Sequence, residues 1–77
     1  MGEPTYSYQL KPRKKDDEVW EGHFYLYLNR VHNGVGSSRY IGQVDSSDKR
    51  VSLILEKKDN DMMLKELALH DAGTLFH

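Results

Sequence analysis

Trp20-Glu21-Gly22-His23-Phe24-Tyr25-Leu26-Tyr27-Leu28-Asn29-Arg30, followed by Arg39-Tyr40-Ile41-Gly42-Gln43-Val44, decides how this chain folds. Asn33-Gly34 and Gly36-Ser37-Ser38 stand between the two aromatic-rich runs and supply the positive φ angles that a chain reversal needs. The pair reads as a β-hairpin. Along its first strand, Trp20, Phe24, Leu26 and Leu28 share one side and are expected to face a core. Glu21, His23, Tyr25, Tyr27 and Asn29 share the other side, which is aromatic yet polar. Gly22 and Gly42 are expected to mark bulges or close backbone approaches.

Upstream, Thr5-Tyr6-Ser7-Tyr8-Gln9-Leu10 alternates with period two and places Tyr6, Tyr8 and Leu10 on one side. Pro12, which has no amide proton to give to a ladder, is expected to stop this strand. Lys11, Arg13, Lys14 and Lys15 are followed at once by Asp16, Asp17 and Glu18. This run reads as a solvated loop whose charges screen each other, and residues 1–4 and 11–18 are expected to be flexible. The sharper alternative is a basic arm for a phosphate backbone or an acidic partner.

Downstream, Asp45-Ser46-Ser47-Asp48 is a turn or a helix cap. Residues 47–58 fit two periods. Val51, Leu53 and Leu55 alternate as a strand would, whereas Val51, Ile54, Leu55 and Lys58 recur as a helix would, with Ser47 as N-cap. The short, β-rich start of the run favours the strand. Asp59-Asn60-Asp61 offers caps for a final helix, Met62, Met63, Leu64, Leu67, Ala68 and Leu69 form its apolar stripe, and Gly73 is placed to end it as C′. Leu75 and Phe76 are expected to fold back onto the sheet. The expected architecture is thus α+β: one domain over 1–77, an antiparallel meander of three to four strands packed on one C-terminal helix. Its core would join Trp20, Phe24, Leu26 and Leu28 to Met63, Leu64 and Leu67, with Met62 and Met63 filling space.

The chain has 77 residues and no cysteine, so neither a disulfide staple nor a thiolate metal cage is available. That points to a reducing, cytoplasmic setting. A chain this short buries only about 60% of its unfolded surface, so a homodimer is kept as a second way to enlarge the core. No run approaches the ~18 apolar residues of a membrane helix, and no membrane association is expected. Met1-Gly2-Glu3 begins like a myristoylation signal, but Tyr6 stands where that motif wants Ser or Thr. Eleven Lys and Arg against twelve Asp and Glu leave a net charge of −1, which argues against binding nucleic acid mainly by phosphate neutralisation.

The four histidines, at 23, 32, 70 and 77, lack any metal-binding spacing, and no serine has an identifiable partner base. No catalytic, metal or cofactor residue is therefore assigned. His70 suits the end of a helix as a cation. The tyrosines Tyr6, Tyr8, Tyr25, Tyr27 and Tyr40, interleaved with Arg30, Arg39 and Arg50, are the strongest binding candidates, because Tyr and Arg dominate protein hot spots and can also stack on bases. His23 joins them as a surface or interface group. The binding set is His23, Tyr25, Tyr27, Arg30, Arg39, Tyr40 and Arg50.

At Phe24-Tyr25-Leu26, Asn33-Gly34, Arg39-Tyr40-Ile41-Gly42-Gln43 and Arg50 the chain resembles the GIY-YIG nuclease superfamily. That likeness implies that Tyr25 and Tyr40 line a site, that Arg50 steadies a scissile phosphate, and that a glutamate further on holds a divalent metal. His23-Phe24 stand where the family has Gly-Ile, and only Glu66 sits on a suitable helix. The nuclease arrangement implies a helix directly after Tyr-Ile-Gly, where the meander implies a strand. In its order of elements, strands and then a C-terminal helix, the chain is also similar to the arm-type DNA-binding domains of tyrosine integrases. The expectation is a small non-enzymatic binding or regulatory protein that uses the exposed face of its hairpin. A protein partner ranks first and nucleic acid second; a truncated or degenerate GIY-YIG-type DNA endonuclease, or a small β-sheet DNA-binding domain, is the alternative.

Overall fold

The computed structural model describes residues 2–56 and 61–76. Two reversals with left-handed central residues set its sheet. Asp16 (φ 52°) and Asp17 (φ 65°) join β1 (Thr5–Lys15) to β2 (Glu18–His32), and Asn33 (φ 53°) and Gly34 (φ 78°) join β2 to β3 (Val35–Asp45). Two-residue loops with positive φ at both centres match the twist of paired strands, and Asn-Gly is a favoured occupant. The sheet is antiparallel in the order β1-β2-β3. Tyr8 lies opposite Leu28, Leu10 opposite Leu26, and Tyr27 opposite Tyr40.

The elements differ from the sequence-based expectation in several places. Gly36-Ser37-Ser38 belong to β3, so the turn is Asn33-Gly34 alone. β1 does not stop at Pro12 but continues to Lys15, so that only Asp16 and Asp17 of the expected 11–18 loop lie between strands. Pro12 is accommodated because β1 is an edge strand and its register slips between Pro12 and Lys14.

Residues 49–56 form a helix, not a strand: α1 spans Lys49–Glu56. Its start explains the outcome. The Asp48 carboxylate accepts the Arg50 amide proton at 2.8 Å, and the Asp48 carbonyl accepts the Ser52 amide proton at 3.1 Å. Asp48 is therefore the N-cap in place of Ser47, whose amide (2.9 Å) and hydroxyl both donate to Asp45. A capped turn with Val51 fully buried outweighs the local alternation of Val51, Leu53 and Leu55. The sheet thus has three strands, and the C-terminal part is two helices.

The second helix, α2, spans Asp61–Leu75. It runs through Gly73 instead of ending there, and Leu75 and Phe76 pack back on the sheet as expected. The expected caps Asp59 and Asn60, together with Lys58 and His77, lie outside the described residues. Ala68 and Ala72 are buried against Leu28, with Tyr6, Tyr8, Ile41, Leu75 and Phe76 packed around them. Alanine lets the helix approach the strands closely. Met62 and Met63, expected in the core, are instead 77% and 43% exposed, because α2 turns its alanine side inward. A polar clamp holds the layers together. Arg50 bridges Asp48 (2.9 Å) and Asp71 (3.0 Å), while the Tyr8 hydroxyl donates to Asp71. Burial, then the bond to Asp71, pushes the Tyr8 phenol well above its ordinary pKa.

Trp20 departs from the expected core. Phe24 pairs with Pro12 and Val19 with Lys14, so β2 takes five steps where β1 takes two, and the odd excess flips the face of everything before it. Gly22 makes the bulge possible. Its φ is 77°, its carbonyl accepts the Ser46 amide at 2.9 Å, and a Cβ there would meet Ser46 Oγ at 3.0 Å. Trp20 consequently sits 36% exposed on the side away from the helices. Among the described residues, no helix is long and apolar enough to cross a membrane.

Two stability outcomes follow. Gly34→Ala should lower stability by about 1–2 kcal/mol, because a side chain in the left-handed region is strained, while Asp17→Gly should raise it by roughly 0.5–1 kcal/mol; urea unfolding checks both. Asp48 is held below the usual carboxylate range chiefly by its hydrogen bond to Arg50. A depressed folded-state pKa contributes stability above the unfolded value of about 4, and that contribution is lost as pH falls through the folded value. Asp48→Asn should therefore flatten the acid limb of stability against pH, read from thermal melts across the acidic range.

Candidate functional site

The uncovered side of the sheet gathers its residues by simple alternation. Tyr25 and Tyr27 stand two apart on β2, and Tyr40 crosses to them from β3. The Tyr27 and Tyr40 rings have centroids 5.3 Å apart, and Tyr25 and Tyr40 are 6.3 Å apart. The bulge between Leu26 and Tyr27, opposite Gly42 and Tyr40, sets this alignment: Ile41 is the extra residue and turns toward the core, leaving Tyr40 half-exposed. Asn29 Nδ2 donates to Gln9 Oε1 at 3.3 Å further along the same face.

Cations on β1 border these rings. Lys11 Nζ lies 4.6 Å from the Tyr27 centroid, Arg13 Cζ lies 4.8 Å from that of Trp20, and Lys15 Nζ lies 5.8 Å from it. Residues 11, 13 and 15 fall on one side because β1 continues as a strand through them. Trp20 joins them through the Gly22 bulge and packs edge-on to His23, at 5.8 Å between centroids. A ring under a cation attracts it through the negative face of the π system. The outcome is a row of three cations set against aromatic rings, with Glu18 directly opposite Lys15.

At one end of this face a polar cleft of about 400 Å³ lies among Arg13, His23, Gln43, Asp45 and Asp48. The Asp45 carboxyl is held below the ordinary carboxylate range chiefly by the Ser47 hydroxyl. Among the described residues no group of three or more His, Asp or Glu is placed to hold a metal ion.

The seven residues expected to bind separate into three places. His23, Tyr25, Tyr27 and Tyr40 come together on the uncovered face. Arg30 and Arg39 lie on the helix side, against the Phe76 ring. Arg50 is in the helical layer, 6.0 Å from the ring of Tyr8, and its ion pairs with Asp48 and Asp71 raise its pKa. Tyr6 and Tyr8 likewise pack against the core. Arg50 and the pair Tyr25 and Tyr40 are on opposite sides of the sheet. The sequence pattern places Trp20 in the core and Lys11, Arg13 and Lys15 in a loop; the period-two spacing of the cations is the signal for their face. No protein-family model, curated protein or solved structure matches this chain.

Proposed function

We propose that this protein is a non-enzymatic binding module that takes the phosphate backbone of duplex nucleic acid across the uncovered face of its sheet. The observation that carries this reading is the row Lys11, Arg13 and Lys15, each beside an aromatic ring on a face that no helix covers. The near-neutral sum of charge weighs against polyanion binding only if the charges are evenly spread. Here three cations share one face with Glu18, the cross-strand partner of Lys15, and with Asp45, which lines the cleft beside Arg13, while Asp71 is engaged by Arg50 on the other side. Lys11 and Tyr40 already occupy the ring of Tyr27, so a base would have to displace them in order to stack. Phosphate contact therefore fits better than single-strand stacking. From Lys14 to Glu21 every residue is exposed, and β3 ends opposite His23, so a two-stranded ribbon extends past the rest of the sheet. A two-stranded ribbon is of a size that the major groove admits.

A protein partner on the same face is the second reading. The mutual packing of Tyr25, Tyr27 and Tyr40 favours it, since clustered tyrosines beside arginine are the anchor type of protein interfaces.

Fluorescence anisotropy with labelled duplex DNA tests the first reading. Binding should weaken steeply with salt, and the triple change Lys11→Gln, Arg13→Gln, Lys15→Gln should make the slope of log K against log salt shallower by about 2 to 3. Tyr25→Ala with Tyr27→Ala should weaken binding while leaving the thermal melt cooperative. Absence of salt-dependent binding to duplex at low ionic strength would remove nucleic acid and leave the protein reading.

A further inference from the structure

A second charged site lies on the opposite side of the sheet. Leu28 pairs with Arg39 and Arg30 with Ser37, which makes Arg30 and Arg39 diagonal neighbours on the helix-bearing face. Both guanidiniums lie on one ring: Arg30 Cζ is 5.6 Å and Arg39 Cζ is 5.0 Å from the centroid of Phe76. Phe76 is fixed by its amide, which donates to the Ala72 carbonyl at 2.8 Å, and by packing on Tyr6 at 5.9 Å between centroids. The two arginines, Leu75 and Phe76 line an open cleft of about 370 Å³.

Among the described residues, no acid lines this cleft. Among the described residues the ion pairs are those of Arg50, and neither Arg30 nor Arg39 takes part in one. The Arg30 Nε is buried and has no hydrogen-bond partner. Two like charges held side by side repel, and a buried N–H without an acceptor forfeits its hydration. The C-terminal end of α2 favours cations nearby and accounts for part of their placement. It supplies no acceptor to Nε, however. An anion with several oxygens would relieve both costs at once. A carboxylate neutralises one charge, whereas a phosphoryl dianion neutralises two and matches the fork of each guanidinium.

We propose that Arg30 and Arg39, seated on Phe76, form a binding site for a dianionic phosphoryl group, either inorganic phosphate or a phosphate monoester. The site does not rest on the duplex-binding reading, because it lies on the other side of the sheet.

Side-chain ¹⁵N NMR of the full chain tests it by following the Arg Nε–Hε resonances. Inorganic phosphate and phenyl phosphate should each shift those of Arg30 and Arg39 in a saturable way, and acetate at matched ionic strength should bind roughly tenfold or more weakly. Tighter binding of phenyl phosphate than of inorganic phosphate would assign the site to a monoester whose organic part continues over Phe76; equal binding would assign it to the free ion. Arg39→Lys keeps the charge and loses the fork, and should weaken phosphate by roughly tenfold. Arg39 is exposed, so this variant folds even if Arg30→Lys does not. Phosphate should also raise the melting temperature of the parent chain, and at equal concentration raise that of Arg39→Lys less. Equal response to acetate and phosphate, shifts that never saturate, or an unchanged Arg39→Lys would overturn the proposal.

Discussion

The fold depends on burying one side of one strand. Leu26 and Leu28, at the centre of β2, are wholly removed from water, and Leu28 meets Ala68 and Ala72 of α2 directly. Each such leucine is worth roughly 1.5–3 kcal/mol, a large share of the stability that a domain this small can hold. The alanines matter as much as the leucines, since a larger residue at 68 or 72 would lift α2 off the sheet. Two short helices suffice to cover one face. They cannot cover both, and the other face stays open.

The polar clamp converts that covering into a definite orientation. Apolar contact alone would let α2 slide along the strands. Arg50 links the cap of α1 to Asp71 of α2, and Asp71 in turn accepts the hydroxyl of Tyr8 on β1. Each group is partly buried and has a partner, so the network specifies register without leaving an unpaired charge. This also gives Arg50 a structural task. Its guanidinium is spent within the helical layer, on the far side of the sheet from Tyr25 and Tyr40.

The hairpin was legible because Asn33-Gly34 and the alternation of Leu26 and Leu28 with Tyr25 and Tyr27 state the same thing twice. The apolar end of the chain was legible as a helix for a similar reason. Where signals conflicted, the tertiary contact decided. Val51, Leu53 and Leu55 alternate like a strand, but the Asp48 cap and the burial of Val51 made α1. Trp20 has the parity of Phe24 in sequence and the opposite side in space, since a bulge of odd excess at Gly22 is invisible to a period-two count. Pro12 marks an edge strand rather than a strand end. Arg30 and Arg39 could not be separated from Tyr40 without the register that puts Leu28 opposite Arg39 and turns the arginines toward Phe76.

The distribution of charge makes the same point about function. A net charge of −1 describes the chain seen from far away, beyond the screening length of about 8 Å at physiological salt. A partner at contact distance meets a face instead. On one side it meets Lys11, Arg13 and Lys15 set against rings, and on the other two unpaired guanidiniums over Phe76. Cations that a fold keeps beside aromatic rings on a paired strand lose less freedom on binding than cations on a free loop. Ordering them before the partner arrives lowers the entropy lost on binding. The strand that carries Lys11 to Lys15 is thus the physical difference between a loop and an ordered row of cations.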